Sequence, residues 1–378
     1  MKKLCFVATS PFGVNPFLLG HLAVLAENYE VALCVNLDVY PLSENIDPRV
    51  KVIHIPIARK VTPFQDLNVL WCLIKIFHRE KFDSVHSLMP KAGLLGMMAS
   101  MMCRVPHRIH TFTGQVWASK VGWKRSVLKL FDLMIVVFAT RVFSDSASQS
   151  AFLEKELGLS HPVGIMGKGS ISGVDMDRFK PDPQGRLRKR KELDVTGSQF
   201  VFLYVGRIAR DKGVFDLMDA FARVYTKRQD VVLWMVGPDE EGLSDSLKHV
   251  ASEANCAISW IGRTSTPEHY MAAADVYVLP SYREGFGLAV IEAAACETPA
   301  LAYRIDGVVD SVDEGKTGLL VPLKDIEALA QGMSNLAASP DQIEAMGQEA
   351  RQRVEKDFTA QAISGAWLEY YDTHVKTY

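Results

Sequence analysis

Short apolar runs bounded by turn residues recur along the first half of the chain, at KKLCFVAT, YEVALCVNL, RVKVIHIPI, FDSVHSL, HRIHTFT and TRVFSDS. The pattern returns after residue 200 at QFVFLYVG, VVLWMVG, AISWIG, VYVLPS, TPALAY and GLLVP. Runs of this kind predict strands, and several of the stretches between them carry helical periodicity. In FQDLNVLWCLIKIFHR, Asn68, Cys72, Lys75 and Arg79 fall on one stripe and apolar residues cover the rest, which predicts a mostly buried helix. GVFDLMDAFARVY predicts another. Two successive strand-helix alternations imply an α/β protein with two doubly wound parallel sheets, each flanked by helices.

The two alternations are separated by GKGSISGVDMDRFKPDPQGRLRKRKELD, rich in Gly, Pro and charge and without apolar periodicity, which reads as a linker. The expected domains are residues 1–175 and 176–355. A final helical stretch, 356–378, lies beyond the second alternation and is expected to pack back on the first domain. Ligands of doubly wound sheets bind at the carboxyl ends of the strands, so two such domains facing one another would enclose a cleft, and the chemistry is sought there.

Composition narrows this picture without changing it. The chain has 378 residues, 48% apolar and 23% charged, which suits two packed domains of ordinary size. Its six cysteines, at positions 5, 34, 72, 103, 256 and 296, show no spacing typical of a zinc or redox pair, and a reducing compartment fits them best. MKKLCFVATSPFG alternates like a strand and is not read as a signal peptide. AGLLGMMASMMC and LMIVVFAT fall short of the ~20 residues that span a bilayer, so no transmembrane helix is expected. The net charge of −2 hides an asymmetry: residues 1–178 carry 20 Lys and Arg against 14 Asp and Glu, and the remainder carries 22 against 30. A basic half is compatible with an anionic surface on that side, or with chance scatter.

Two motifs carry chemistry. In LYVGRIARDKGVFDLMDAF a strand enters a turn with Arg207 and Lys212, closes on Gly213 and leads into a helix. Two cations beside a helix N-terminus form an anion site, and a diphosphate is its natural occupant. In REGFGLAVIEAAAC, which follows the strand VYVLPS, Gly285 and Gly287 allow backbone N–H groups to approach a ligand closely. Glu284 precedes that turn and Glu292 lies well into the following helix, so the pair suits the two ends of one elongated ligand.

Together, GRIARDKG and EGFGLAVIE resemble the retaining family 4 glycosyltransferases of the GT-B fold, with two Rossmann-like domains, whose signature is a glutamate, seven residues and a second glutamate. The resemblance spans the chain, since HTFTG (110–114) matches the first domain's histidine motif and GVD (173–175) the linker. It implies an acceptor-binding first domain and a nucleotide-sugar-binding second one. Arg207 and Lys212 would bind the donor's diphosphate, the backbone at Phe286, Gly287 and Leu288 would help to hold phosphate and sugar, and Gly206 and Gly285 would belong to the same donor site. Glu292 would take the ribose hydroxyls, Glu284 the donor sugar, and the turn around Arg263 the nucleobase side. His110 would approach the donor sugar from the first domain, with Glu284 the other catalytic candidate. Acceptor contacts are expected near Gly13, Thr113 and Gly114, although the family's paired glycines are reduced in SPFGVNPF to Gly13 alone.

Asp175-Met176-Asp177 spells a metal-binding pattern of another transferase fold, and Gly167-Lys168-Gly169-Ser170 resembles a phosphate loop; the first lies in the linker and the second lacks the Ser or Thr that should follow Lys. With Arg207 and Lys212 available to neutralise a leaving diphosphate, no metal or other cofactor is expected. The segment VWASKVGWKRSVLKLFDLMIVV interleaves Trp117 and Trp123 with Lys120, Lys124, Arg125 and Lys129, as an interfacial anchor does, and an ordinary surface helix fits nearly as well. HTFTGQVW and SYREGFGLAVIEAAA resemble most closely bacterial enzymes that extend polyprenyl-diphosphate-linked sugars. That resemblance implies a UDP-linked N-acetylhexosamine donor and a lipid-linked saccharide acceptor, with no nucleic-acid partner. It also implies a cytoplasmic location at the inner face of the membrane. The competing expectations are a soluble or phosphoinositol-type acceptor, a sugar-nucleotide epimerase, and a binding module without catalysis.

Overall fold

The computed structural model describes residues 1–58, 62–197 and 199–375. The last three residues of the expected C-terminal helix lie outside them. The chain divides into two compact units: residues 1–172 together with the segment from Ala360 onward, and Gly173–Thr359.

In the first unit the elements are β1 (Lys3–Val7), α1 (Pro11–Phe17), α2 (Leu19–Leu25), β2 (Glu30–Val35), β3 (Lys51–His54), α3 (Pro63–Glu80), β4 (Ser84–Leu88), α4 (Pro90–Met102), β5 (His107–Phe112), α5 (Gly122–Phe138), β6 (Arg141–Ser144), α6 (Ala147–Leu157) and β7 (Gly164–Ile165). The strands pair in the order β3-β2-β1-β4-β5-β6-β7, all parallel, so the winding reverses between β1 and β4. Cys5, Phe6, Val7, Leu33, Cys34 and Val35 are buried because helices cover both faces of the sheet.

The second unit contains α7 (Pro183–Glu192), β8 (Phe200–Val205), α8 (Val214–Lys227), β9 (Val231–Val236), α9 (Ser244–Glu253), β10 (Ile258–Gly262), α10 (Pro267–Met271), β11 (Val276–Leu279), α11 (Leu288–Ala295), β12 (Ala300–Tyr303), α12 (Val308–Ser311), β13 (Gly318–Val321), α13 (Ile326–Ala337) and α14 (Pro340–Asp357). Its parallel sheet runs β10-β9-β8-β11-β12-β13, with the reversal between β8 and β11. On α8, Val214, Leu217, Met218, Phe221 and Val224 form one buried stripe, as its periodicity requires.

The last helix, α15 (Ala360–His374), belongs to the first unit. Ile363, Trp367 and Tyr371 recur every four residues and enter that unit's core. The Tyr371 hydroxyl lies 2.8 Å from Nδ1 of buried His86, whose Nε2 meets Thr111 Oγ1 at 2.8 Å. His21 Nδ1 meets Ser364 Oγ at 2.9 Å. A C-terminal segment is thus wired into the first sheet by groups that would be unsatisfied without it, and truncating Trp367 to Ala should cost about 3–5 kcal/mol.

Three expectations need correction. The helix α3 is not mostly buried: Val69, Leu73 and Phe77 face inward, while Phe64, Leu67 and Trp71 are 90%, 64% and 56% exposed. The 167–194 stretch is not all linker, because α7 forms within it. The side chain of Asp182 caps this helix by accepting from the Gly185 N–H, and Arg186 and Arg190 both bind Asp275. It is attached by charge and not by an apolar stripe, so apolar periodicity had nothing to register. Trp117 is no surface anchor: it is 1% exposed, its Nε1–H donates to Asp132 at 2.7 Å, and it stacks on Phe152.

Candidate active site

The second unit's site is assembled at its topological switch, where the loops after β8 and β11 meet. Strand β8 is buried through Tyr204 and delivers Gly206 and Arg207 to the carboxyl edge. The Tyr204 hydroxyl donates to the Arg207 carbonyl at 2.6 Å and fixes the turn. A 3₁₀ turn, Arg210–Lys212, then ends at Gly213 with φ +67°. A Cβ at Gly213 would lie 1.9 Å from the Pro280 carbonyl oxygen, so glycine is required both by its backbone and by contact with the next loop.

That second loop carries the Glu284 motif. Lys212 Nζ and Glu284 Oε1 are 2.6 Å apart, both side chains less than a fifth exposed. Arg207 donates to Glu240 at 2.9 Å, and Arg283 to Asp211 at 3.0 Å. Burial alone would lower the Arg207 guanidinium, but Glu240 and Asp211 outweigh it and hold it above its ordinary value. The Tyr282 and Tyr303 hydroxyls each donate to Asp216 at 2.9 Å and clamp the base of the loop. Phe286 is buried against Phe358, with ring centroids 5.2 Å apart, which leaves only its backbone to face a ligand. Gly287, at φ +82°, caps α11, and partly buried Leu288 opens that helix against the core.

Glu292 lies one turn into α11, and burial pushes its carboxyl up to about 7; Arg178 counteracts the shift and Glu268 adds to it. Arg178 in turn binds Glu268 and the Ser265 carbonyl at 2.8 Å each. Arg263 lies exposed in the turn that leads to these residues. The structure therefore brings Arg207, Lys212 and Glu284 together, and places Glu292 in the field of Arg178 and Glu268.

Gly307 was missed by sequence reasoning. At φ +88°, a Cβ there would lie 2.6 Å from the Gly285 carbonyl oxygen and 2.9 Å from that of Glu284, so the backbone carrying the glutamate rests directly on it. The Asp306-Gly307 dipeptide after β12 was the available signal.

In the first unit, His110 is 1% exposed with Nδ1 2.8 Å from Ser87 Oγ, and its ring meets Phe112 edge-on at 4.4 Å. Burial lowers its pKa to about 3, so the imidazole is neutral at physiological pH. Gly93 makes room for it: a Cβ there would approach His110 Cε1 to 2.5 Å. Thr113 and Gly114 (φ +94°) follow β5 and are partly exposed. Gly13 is buried under the end of the Met89 side chain, whose Cε would lie 1.6 Å from an added Cβ. Gln115 and Asp145 also escaped the sequence reading. They follow the neighbouring strands β5 and β6, and are 2% and 6% exposed. Both amide atoms of Gln115 and Oδ1 of Asp145 lack a hydrogen-bond partner, and burial raises the Asp145 carboxyl to about 8.

Among the described residues, no group of three His, Cys, Asp or Glu side chains is arranged to hold a metal. Asp175 of the Asp-x-Asp pattern instead accepts from the N–H groups of Asp177 and Arg178.

The fold and site define a two-domain transferase of the GT-B type, and comparison with known proteins agrees. Residues 13–163 match the glycosyl transferase 4-like domain, and residues 185–353 match glycosyl transferases group 1. The chain is 32% identical to the capsular polysaccharide biosynthesis glycosyltransferase CapM of Staphylococcus aureus, over 85% of each chain. It is 28% identical to the UDP-Gal:alpha-D-GlcNAc-diphosphoundecaprenol alpha-1,3-galactosyltransferase of Escherichia coli, over 84% of each. It is 30% identical to a D-inositol 3-phosphate glycosyltransferase of Arthrobacter, over 79% of this chain and 72% of that one. Among solved structures, sucrose-phosphate synthase from Thermosynechococcus elongatus shares the fold with a TM-score of 0.84 at 21% identity, over the whole of both chains. The chain belongs to the family 4 glycosyltransferases of the GT-B fold and is a hexosyl-transferring enzyme.

Proposed function

We propose that this enzyme moves a sugar, with retention of anomeric configuration, from a UDP-sugar to a hydroxyl of an undecaprenyl-diphosphate-linked saccharide during assembly of an O-antigen, capsule or glycoprotein glycan. The observation that carries the reading is the Lys212–Glu284 pair beside Arg207 at the second unit's switch point. Before substrate binds, Lys212 and Glu284 hold one another in place. With donor bound, the lysine and Arg207 turn to the diphosphate and the glutamate to the sugar hydroxyls.

Charge building on the leaving UDP is then met by two preset cations and by the N–H groups at the start of α11, which supplies the stabilisation without a metal cofactor. Glu292, poised near 7, receives the ribose hydroxyls as acceptor or donor. On the acceptor side, Thr113 and Gly114 follow the strand that carries neutral His110, whose uncharged ring suits a sugar hydroxyl without drawing a phosphate. The E. coli relative, named for a UDP-galactose donor and a diphosphoundecaprenol-linked acceptor, supports the lipid-linked choice, and with it a location at the inner face of the cytoplasmic membrane.

The test is a donor screen read by mass spectrometry, with UDP-N-acetylglucosamine, UDP-N-acetylgalactosamine, UDP-galactose and UDP-glucose offered against a short-chain polyprenyl-diphosphate N-acetylglucosamine. One donor should give a product with a single added sugar. No product with any donor, alongside transfer to inositol 3-phosphate, would select the second reading, favoured by the Arthrobacter relative's named substrate.

A further inference from the structure

Helices α3, α4 and α5 lie side by side on one face of the first unit's sheet. An ordinary helix in such a layer turns its apolar stripe inward and its charge outward. Here α5 packs Leu128, Ile135 and Val136 on the core and carries a second apolar stripe outward. Its fully buried residues are only Asp132 and Ile135, while Trp123, Val127, Leu130 and Val137 are 72%, 38%, 53% and 67% exposed and recur at helical spacing. Val121, just before it, is 86% exposed. On α3 the outward stripe is Phe64, Leu67 and Trp71, three and four residues apart.

The charges on this layer have one sign at the surface. Lys75, Arg79, Lys81, Arg104, Lys120 and Lys124 are exposed, and no Asp or Glu between residues 62 and 138 is. The acids there are each partnered: Asp66 by Lys91, Glu80 by Lys51 and Arg79, Asp83 by Lys2 and Asp132 by Trp117, while Glu156 of α6 meets Arg125 and Lys129 on the flank of α5. Lys124 lies over the Trp123 ring and Lys75 over Trp71, the arrangement in which an aromatic ring sits at a headgroup layer beside a cation.

Both apolar stripes begin at the carboxyl end of the sheet, since α3 and α5 follow β3 and β5. The chain passes from β5 through Thr113, Gly114 and residues 115–121 into α5.

We infer that the outward faces of α3 and α5 form a docking surface for an anionic phospholipid bilayer, with Phe64, Leu67, Trp71, Trp123 and Val127 entering the interface and the surrounding lysines and arginines meeting the headgroups. Isolated apolar exposure is normal, but a two-helix apolar face bordered by exposed lysines and arginines, with no exposed acid on its own helices, matches a negatively charged lipid surface. The inference deepens the function proposed above: a surface beginning where the acceptor turn ends would let a lipid-anchored sugar reach that turn without leaving the bilayer.

The test is co-sedimentation of the full chain with vesicles of phosphatidylcholine alone and with roughly a third phosphatidylglycerol. Binding is expected to the anionic vesicles, to weaken with added salt, and to fall about tenfold or more in Trp123→Ser and in Phe64→Ser. Lys120→Glu combined with Lys124→Glu should weaken it in the same direction. These positions are exposed, so thermal stability and turnover of a short-chain, water-soluble acceptor should be unchanged. The inference is overturned if the wild-type chain stays in the supernatant with anionic vesicles, or if the serine variants bind as well as it does. It is also overturned if sedimentation velocity without lipid shows a dimer that Trp123→Ser dissociates, because the face would then be covered by a second copy. Failure of the proposed function is read separately, as absence of transfer to the soluble acceptor.

Discussion

The carboxyl ends of the two sheets are built from the same topology and finished in opposite ways. In the second unit the switch point is crowded with charge, and each charge is already opposed: Lys212 by Glu284, Arg207 by Glu240, Arg283 by Asp211. In the first unit the end of β5 and the loops after β5 and β6 hold His110 with its pKa lowered by burial, a Gln115 amide without a partner and an Asp145 carboxyl raised to about 8, and a Lys91–Asp66 ion pair joins the first turns of the neighbouring helices α4 and α3. A site preset with cations and counter-charges suits a highly charged ligand that replaces one partner of each pair. A neutral polar lining suits hydroxyl groups, since burying an unpaired ion there would cost far more than burying an amide. The two sheet ends thus differ by electrostatics more than by fold, as the proposed division between diphosphate and sugar binding requires.

The most severe challenge to that contrast is to remove a charge from the second unit. Lys212→Ala and Glu284→Gln should each lower kcat/KM by roughly 10²–10³-fold, the cost of losing one preset group opposite developing charge. Lys212→Ala should also weaken UDP binding in titration calorimetry, whereas His110→Asn should leave UDP affinity unchanged. If His110→Asn weakened UDP binding as much, the division of labour would be wrong.

Next in size is the support beneath Glu284. Gly307→Ala adds a methyl 2.6 Å from the Gly285 carbonyl oxygen at a positive φ, and should destabilise the protein by about 1–3 kcal/mol in urea denaturation. Activity should fall as well, because the Glu284 backbone must move. A variant with normal stability and activity would show that this contact does not position the glutamate.

Shared by both units is the pH dependence of stability. Burial raises Asp145 to about 8 and Glu292 to about 7, above their unfolded values near 4. The folded protein therefore keeps protons that the unfolded chain has released, and stability falls as pH rises from about 4, by at most about 1.4 kcal/mol per pH unit for each group. The fall ends above about 8 for Asp145 and about 7 for Glu292. Asp145→Asn and Glu292→Gln should each flatten the decline in melting temperature between pH 5 and 8; an unchanged slope in Asp145→Asn would mean that its carboxyl is ionised in the fold.

The smallest effect is an expected silence. Because His110 titrates near 3, the pH–rate profile should show no inflection from it between pH 5 and 9, and His110→Asn should keep the wild-type shape. An inflection near 6.5 that vanished in this variant would overturn the neutral lining.

Among the described residues, twelve of the thirteen strands were legible as short runs bounded by turn residues, continuously apolar where helices cover both faces as in β8 and β9, and the two-residue β7 was too short to announce itself. The Arg207, Lys212 and Glu284 cluster was legible too, since residues at strand ends on either side of a winding reversal must converge. The Gln115–Asp145 lining was not: a glutamine or aspartate in a loop looks the same whether it reaches water or is sealed without a partner.

What the sequence determined alone is the alternation of strands and helices and the residue types in the loops after β8 and β11, because both follow from local periodicity and from residues adjacent to strand ends. Which apolar stripe of α3 is covered was settled only by tertiary packing, because a helix with hydrophobic residues nearly all round contains no information about which side its neighbours occupy. The same holds for α7, whose anchor Asp275 lies more than eighty residues away, and for Gly307, whose role exists only because another loop's carbonyls press against it. Contacts between segments distant in the chain are set by the space the packed elements leave, and that space is a property of the fold as a whole.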